Sequence, residues 1–346
     1  MNEAPQAPSR APTLVVAIGL AALIVAFVLA LCVGPGAFGV GDVLAMLTTK
    51  LGGGALDIKT EAILWELRLP RALLALLVGA GLGCAGALTQ GLFRNPLASP
   101  GVLGISTGAA ALVVLGFALG LDEDALWATP ALAGIGAVLM LGLLFALTAH
   151  RRDLAYLLLT GVALNALAGA VSTLILALFL DRALLAQKAM AWMLGSFDGR
   201  GFRQLAWASI PITLGLGAAW ALHRSLDVLT LGEETAATLG VDRKRLRVRA
   251  AVVVGLLVGT STAVVGVIGF VGLIVPHVAR SLLGGSSHGH ARLLPASMAT
   301  GAILVLAVDT LGRAMTPMFL APGALTSLLG GLFFLWLLRR QSGAPS

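Results

Sequence analysis

Long apolar runs alternate with short polar breaks along almost the whole chain. A helix needs about 20 apolar residues to cross a bilayer. Runs that approach or exceed that length recur at 14–33, 69–92, 101–120, 128–149, 154–180, 203–222, 248–268, 269–284, 293–312 and 323–338. The pattern predicts an all-α membrane protein with about ten transmembrane helices. The seventh and eighth runs are the least clearly divided, because Val264 to Val275 is continuously apolar and is broken only by glycines and by Pro276. Residues 1–12 read as a polar tail, 13–340 as the transmembrane domain, and 341–346 as a second tail. The first run, Leu14 to Val33, exceeds the roughly 7–15-residue core of a cleaved signal peptide and reads as a retained helix.

Composition sharpens this picture. Of the 346 residues, 58% are hydrophobic and 11% charged, against about 25% charged in soluble domains. The net charge is +7, a balance that can signify nucleic-acid binding. Here, however, the basic residues sit in short clusters between apolar runs, where they orient a protein in the bilayer. With the N-terminus inside, fourteen Lys/Arg fall on inner segments, including Arg10, Arg94, Arg151, Arg152 and the Arg243–Arg249 cluster. Nine fall outside, as does the acidic run Asp122–Asp124. Both termini are therefore expected in the cytoplasm.

Glycine is abundant, at 44 residues. Gly79 and Gly83 form a small-xxx-small pair, and Gly81 and Gly86 extend it. In lipid, close backbone approach at such positions holds helices together. Cys32 and Cys84 lie in apolar runs without metal-ligand spacing, so neither a disulfide framework nor a metal site is expected. Asn165 and Asp309 are polar groups within or near spans. An aspartate at mid-bilayer costs about 2.5–3.5 kcal/mol, and Arg313, one helical turn on, offers Asp309 an i,i+4 partner. Asn165 reads first as an interhelical hydrogen bond and second as a pathway residue.

Three short strings match enzyme motifs without their context. Gly81-Leu-Gly83-Cys-Ala-Gly86 fits a dinucleotide fingerprint but falls inside a predicted span rather than between a strand and a helix. Gly104-Ile-Ser106-Thr-Gly108 fits a nucleophile elbow, which also needs a strand before it. None of His150, His223, His288 and His290, read as inner-loop residues, or His277, which follows Pro276, is a partner for Ser106. Gly39-Val-Gly41-Asp42 resembles an intramembrane aspartyl protease motif, yet it lies in a loop, and Tyr156 does not introduce a second aspartate. None of the lysines, Lys50, Lys59, Lys188 and Lys244, stands in a Gly-x-x-x-x-Gly-Lys-Ser/Thr loop. Any ATPase that drives this chain is then a separate polypeptide. The segment 231–247 is the longest charged stretch; its first part reads as a short cytoplasmic helix closed at Gly240.

Several long strings carry a resemblance. They are Leu67-Arg68-Leu69-Pro70-Arg71, Gln90 through Asn95-Pro96-Leu97 to Gly104, Trp192-Met-Leu-Gly195-Ser, Leu231-Gly232 through Gly240-Val, and Gly269 through Pro276-His277 to Arg280. In this order and spacing, over about residues 62–340, the chain resembles the iron-siderophore/haem/vitamin B12 (FecCD-type) permease family of type II ABC importers. The resemblance implies ten helices per subunit and a homodimer around a central pathway. It also implies two cytoplasmic ATPase subunits that hold ATP and Mg, and a periplasmic substrate-binding protein. This chain would need no cofactor of its own and would sit in a bacterial inner membrane.

By the same resemblance, Arg68, Arg71 and Arg313 would dock the binding protein's glutamates, and Asn95 and Leu97 would form the cytoplasmic gate. A second inner constriction would fall near Leu154 and Ala155, which are apolar here. Gly232, Glu233, Ala237 and Gly240 would contact the ATPase. A ferric siderophore is the favoured cargo, with haem and cobalamin behind it. The alternative, a secondary transporter driven by an ion gradient, needs intramembrane carboxylates and broken helices, and Asp309 is its sole candidate.

Overall fold

In a medium without water, each segment must satisfy its own backbone N–H and C=O groups, and a helix does so. The computed structural model describes residues 11–34, 36, 38–121, 127–149, 154–179, 182–284, 289–315 and 320–342, and every regular element among them is helical. The first part of the chain opens with α1 (Ala11–Cys32) and α2 (Val40–Leu51). The long α3 (Ile58–Phe93) follows, then α4 (Ile105–Ala118), α5 (Ala128–Thr148), α6 (Leu154–Leu178) and α7 (Ala183–Met193). The second part holds α8 (Phe202–Ala221), α9 (His223–Thr230), α10 (Glu233–Thr238), α11 (Arg243–Val265), α12 (Val271–Leu282), α13 (His290–Ala314) and α14 (Pro322–Ser342). Residues 1–10 of the expected N-terminal tail, Asp122–Asp124, His150, Arg151, Arg152, His288 and residues 343–346 lie outside the described residues, as do the side chains of Leu154 and Glu233.

Each of the ten apolar runs falls on one of these helices. By length and composition, α3, α5, α6, α11 and α13 suffice to cross a membrane. The pair α8–α9, bent by 43°, makes a sixth, while Ala17–Cys32, Ile105–Ala118, Val271–Leu282 and Pro322–Leu337 are shorter apolar helices. Several expected boundaries move. α3 starts eleven residues before Leu69, because Glu61–Arg68 adopts π-helical bonding, with Leu69 N–H on Leu64 O. Pro70 has no N–H to give, and the wider turn carries the helix up to it. α11 ends at Val265, and Gly266 (φ 79°) and Phe270 (φ 62°) turn the chain into α12. The helices α2 and α7 fall in stretches expected to be loops.

Helix α3 is the spine. Most of its apolar stretch is buried, 78% against 22% for α6. Glycine makes this possible. A Cβ on Gly79 would overlap the Gly301 carbonyl of α13, and one on Gly83 would overlap the Ser297 carbonyl. On the α12 side, a Cβ on Gly86 would overlap Gly272 O. The expected small-xxx-small surface thus serves two neighbours. The backbones of α4 and α5 approach as closely, since a Cβ on Gly136 would overlap Gly108 O; α4, α5 and α6 together line an open apolar pocket of about 260 Å³ beside Gly108, Leu112, Met140, Leu143, Leu164 and Leu167.

Overpacking a filled contact typically costs about 1–3 kcal/mol. Gly79→Val is therefore expected to lower the thermal unfolding midpoint of the detergent-purified protein. Gly142→Val, where a Cβ would meet nothing within 4 Å, is expected to leave it unchanged. Equal midpoints would show that the Gly79–Gly301 approach is not what holds α3 to α13.

Candidate functional site

The helix α1 ends at Cys32 with carbonyls that have no partner in the helix itself. Leu29 O accepts Val33 N–H at 2.8 Å. Two arginines from distant helices supply the rest. Arg68 Nη1 donates to Leu31 O at 2.6 Å and to Cys32 O at 2.8 Å. Arg313 donates to Ala30 O at 2.9 Å through Nη2 and to Val33 O at 2.9 Å through Nη1. Cationic donors at the negative end of a helix dipole are favourable in both charge and hydrogen bonding. The two side chains are 4% and 6% exposed.

Their neighbour Arg71 faces carboxylates. Its Nη2 donates to Asp309 Oδ1 at 2.8 Å and its Nε to Asp309 Oδ2 at 3.0 Å, while Nη1 donates to Asp198. Arg313 Nε stands 3.3 Å from Asp309 Oδ2, an ion pair without hydrogen-bond alignment. The i,i+4 pair expected for Asp309 is present, and Arg71 joins it. Asp309, 1% exposed, is bound to two arginines, so the candidate carboxylate for an ion-driven mechanism is already occupied. Arg68, Arg71 and Arg313, the residues expected to dock the binding protein, cluster at one end of α3, with Arg68 and Arg313 bonded to α1 and Arg71 to Asp309.

At the other end of α3, Arg94 takes a left-handed conformation (φ 49°) and closes the helix. Asn95 N–H returns to Gln90 O at 3.2 Å, and Asn95 Oδ1 accepts Leu97 N–H at 2.8 Å. Asn95 is exposed and Leu97 half-buried, on a tight turn that Pro96 prevents from continuing as helix. A 3₁₀ turn, Pro100–Leu103, follows. Asn165 of α6 donates to Gly101 O at 2.8 Å and accepts from Thr107 Oγ1. It is thus an interhelical bond that ties the segment after the Asn95–Leu97 turn to α6. Ala155, at the expected second constriction, is exposed at the start of α6.

The six-residue α10 is held between two glycines in left-handed or extended positive-φ conformations, Gly232 (φ 116°) and Gly240 (φ 80°). Its Ala236 is buried in a small cluster with Leu229 and Leu246. Ala237 and Gly240 face outward, and Leu239 is 60% exposed. Asp242 Oδ1 then accepts Arg245 N–H at 3.1 Å and caps α11.

The short enzyme-like strings have structural roles instead. Ser106 shares a hydrogen bond with Thr262 at 3.2 Å, Gly81–Gly86 lies within α3, and Asp42 accepts Gly39 N–H at 2.8 Å to cap α2. Among the described residues, no three His, Cys, Asp or Glu groups converge on a metal site. The pattern missed four residues near the inner end of α3: Gln90, Asp227, Arg280 and His290. His290, read as a loop residue, is the buried first residue of α13. Their partners are remote in sequence, so no local signal marked them.

Comparison with known proteins places this arrangement. The model of the FecCD transport family matches residues 22–340. The chain belongs to the FecCD transport family. It is 39% identical over 317 residues to the hemin transport system permease protein HmuU of Yersinia pestis, covering 86% of this chain and 92% of that one. It is 38% identical over 292 residues to the vitamin B12 import system permease protein BtuC of Klebsiella pneumoniae, covering 84% and 86%. A solved inward-facing conformation of a metal-chelate type ABC transporter superposes with a TM-score of 0.83 at 29% identity, covering 95% of this chain and 99% of that one. This FecCD protein is accordingly an ABC permease of the inner membrane, a transport component rather than an enzyme.

Replacing Arg68 with Gln removes a charged donor from two carbonyls, and hydrogen bonds to charged groups contribute about 1.5–3 kcal/mol each. Arg68→Gln is expected to lower the unfolding midpoint and to speed maleimide labelling of Cys32, with the buried Cys84 as internal reference. Unchanged labelling and midpoint would remove Arg68 from the capping of α1.

Proposed function

We propose that this chain forms one half of a homodimeric, ATP-driven import pathway for an iron-complex-type substrate. A ferric siderophore is favoured, with haem and cobalamin as the other cargoes. Ten spans and cytoplasmic termini belong to this reading. It draws on the ten apolar helices, counting the bent pair as one, and on the excess of basic residues on segments assigned to the inner side. The substrate class rests on the hemin and vitamin B12 named for the relatives and the metal chelate named for the structural neighbour.

The observation that carries the proposal is α10. A short helix, anchored by one buried alanine on its own small cluster, offers Ala237 and Gly240 as a flat outward surface for another protein. No nucleotide-cradling loop exists in the chain, so that protein is the ATPase. The same inner end carries the Asn95–Leu97 turn, which acts as the gate. The homodimer reading draws on α6, whose apolar surface is mostly uncovered and is free to meet a second copy. Substrate arrives from a binding protein at the outer rim. There Arg68, Arg71 and Arg313, with the half-exposed Asp198 beside them, form the docking cluster for the glutamates of that protein.

Vesicles containing the chain and its co-purified ATPase subunits are expected to accumulate a ⁵⁵Fe-labelled hydroxamate complex only with ATP, and more than haemin or cyanocobalamin. Ala237→Trp is expected to reduce ATPase retention on the permease and uptake together. Uptake without nucleotide or companion subunit would overturn the reading.

A further inference from the structure

The inner end of α3 meets two side chains that the proposed function leaves unused. Asp227 lies on α9, the arm of the bent pair that leads into α10. Its Oδ1 accepts the His290 backbone N–H at 2.7 Å and the His290 ring Nδ1–H at 2.7 Å. An ionised carboxylate only accepts, which assigns the proton to Nδ1. Gly289, at the N-cap position of α13, makes no side-chain cap. Asp227 therefore caps α13 from another helix, answering an orphan N–H and placing negative charge at the positive end of the dipole. Only glycine leaves the room, since a Cβ on Gly289 would come within 2.9 Å of Asp227 Oδ2.

The other edge of the His290 ring touches α3. A Cβ on Gly91 would overlap His290 Nε2, and Gly91 stands four residues before Asn95. The adjacent Gln90 is fixed on the α12 side, where its Oε1 accepts from Arg280 Nη1 at 2.6 Å and its Nε2 donates to Leu273 O at 3.3 Å. Thus α9 grips the ring through a carboxylate, and the ring abuts the last turn of α3 without slack.

We propose that Asp227 and His290 are the positioning pair through which displacement of α10 reaches the Asn95–Leu97 gate. This rests on the reading of α10 as the ATPase contact. Movement of α9 carries the Asp227 carboxylate with it. The two short bonds then drag the start of α13, and the His290 ring presses on Gly91 or releases it. A cap that merely stabilised α13 would change the melting behaviour of the protein but not the response of the gate to nucleotide.

The test uses the complete transporter, with its ATPase subunits, in lipid nanodiscs. Cys32→Ser and Cys84→Ala remove the native thiols, and Leu97→Cys carries a bimane fluorophore at the gate. The signal is the fluorescence change between nucleotide-free and ATP–vanadate states, read beside the ATPase rate. Coupling between sites typically amounts to a fivefold effect or more, so Asp227→Asn and His290→Gln should each reduce the change by about fivefold while hydrolysis continues. The double variant should be no worse than either single one, because both cut the same link. A full fluorescence change in both variants overturns the proposal. So do additive losses, or failure of both variants to assemble, since these mark separate structural damage. Ala237→Trp distinguishes the underlying reading. If it leaves the ATPase bound and the gate responsive, α10 is not the contact, whatever Asp227 and His290 do.

Discussion

The carbonyls at the C-terminal end of α1 impose the constraint on which that end of the helix bundle depends. Buried backbone oxygens without donors are costly in a medium that offers no water. Arg68 of α3 and Arg313 of α13 meet them, and in doing so join three helices that are far apart in sequence. Burying such cations needs compensation, and Asp309 and Asp198 provide it. Three guanidinium groups, counting Arg71, face two carboxylates and a helix end worth about half a negative charge. Asp309, bonded to Arg71 and beside Arg313, is the member whose loss would leave buried cations least compensated.

From that cluster, α3 runs as a single stiff element to the opposite side. Its middle is fixed where Gly79 and Gly83 admit the backbone of α13, and where Gly86 admits that of α12. Contacts between backbones have no side-chain rotamers through which to yield, so α3, α12 and α13 are held together along their middles. Helices α4 and α5 approach just as closely at Gly108 and Gly136, but α6 keeps most of its surface uncovered. That surface is left to meet something else, whether lipid or a second subunit.

Much of this was legible from pattern. Hydrophobic run length marked the ten apolar helices, because the bilayer sets a length scale that sequence must obey. The spacing of Gly79 and Gly83 announced close packing, and the short helix before Gly240 was visible from its glycine and its charged flank. Interactions between remote positions left no such trace. Nothing local tells that Arg68 reaches Leu31, or that Asp227 caps a helix beginning 63 residues later. The π-helical start of α3 was equally hidden, since Pro70 suggests a helix boundary and the backbone instead changed its hydrogen-bond register. The dinucleotide-like string at Gly81 shows the opposite error, where a local match exists but the required strand does not.

The Asn95–Leu97 turn lies between the end of α3 and the segment that α6 holds. On one side Asn95 N–H is tied to Gln90 O, and Gln90 is fixed to α12 through Arg280 and Leu273. On the other, Asn165 holds Gly101 O from α6. The segment from Asn95 to Gly101 is therefore fixed at its start to α3 and at its end to α6, and the polar side chains Gln90 and Asn165 set the positions of both ends.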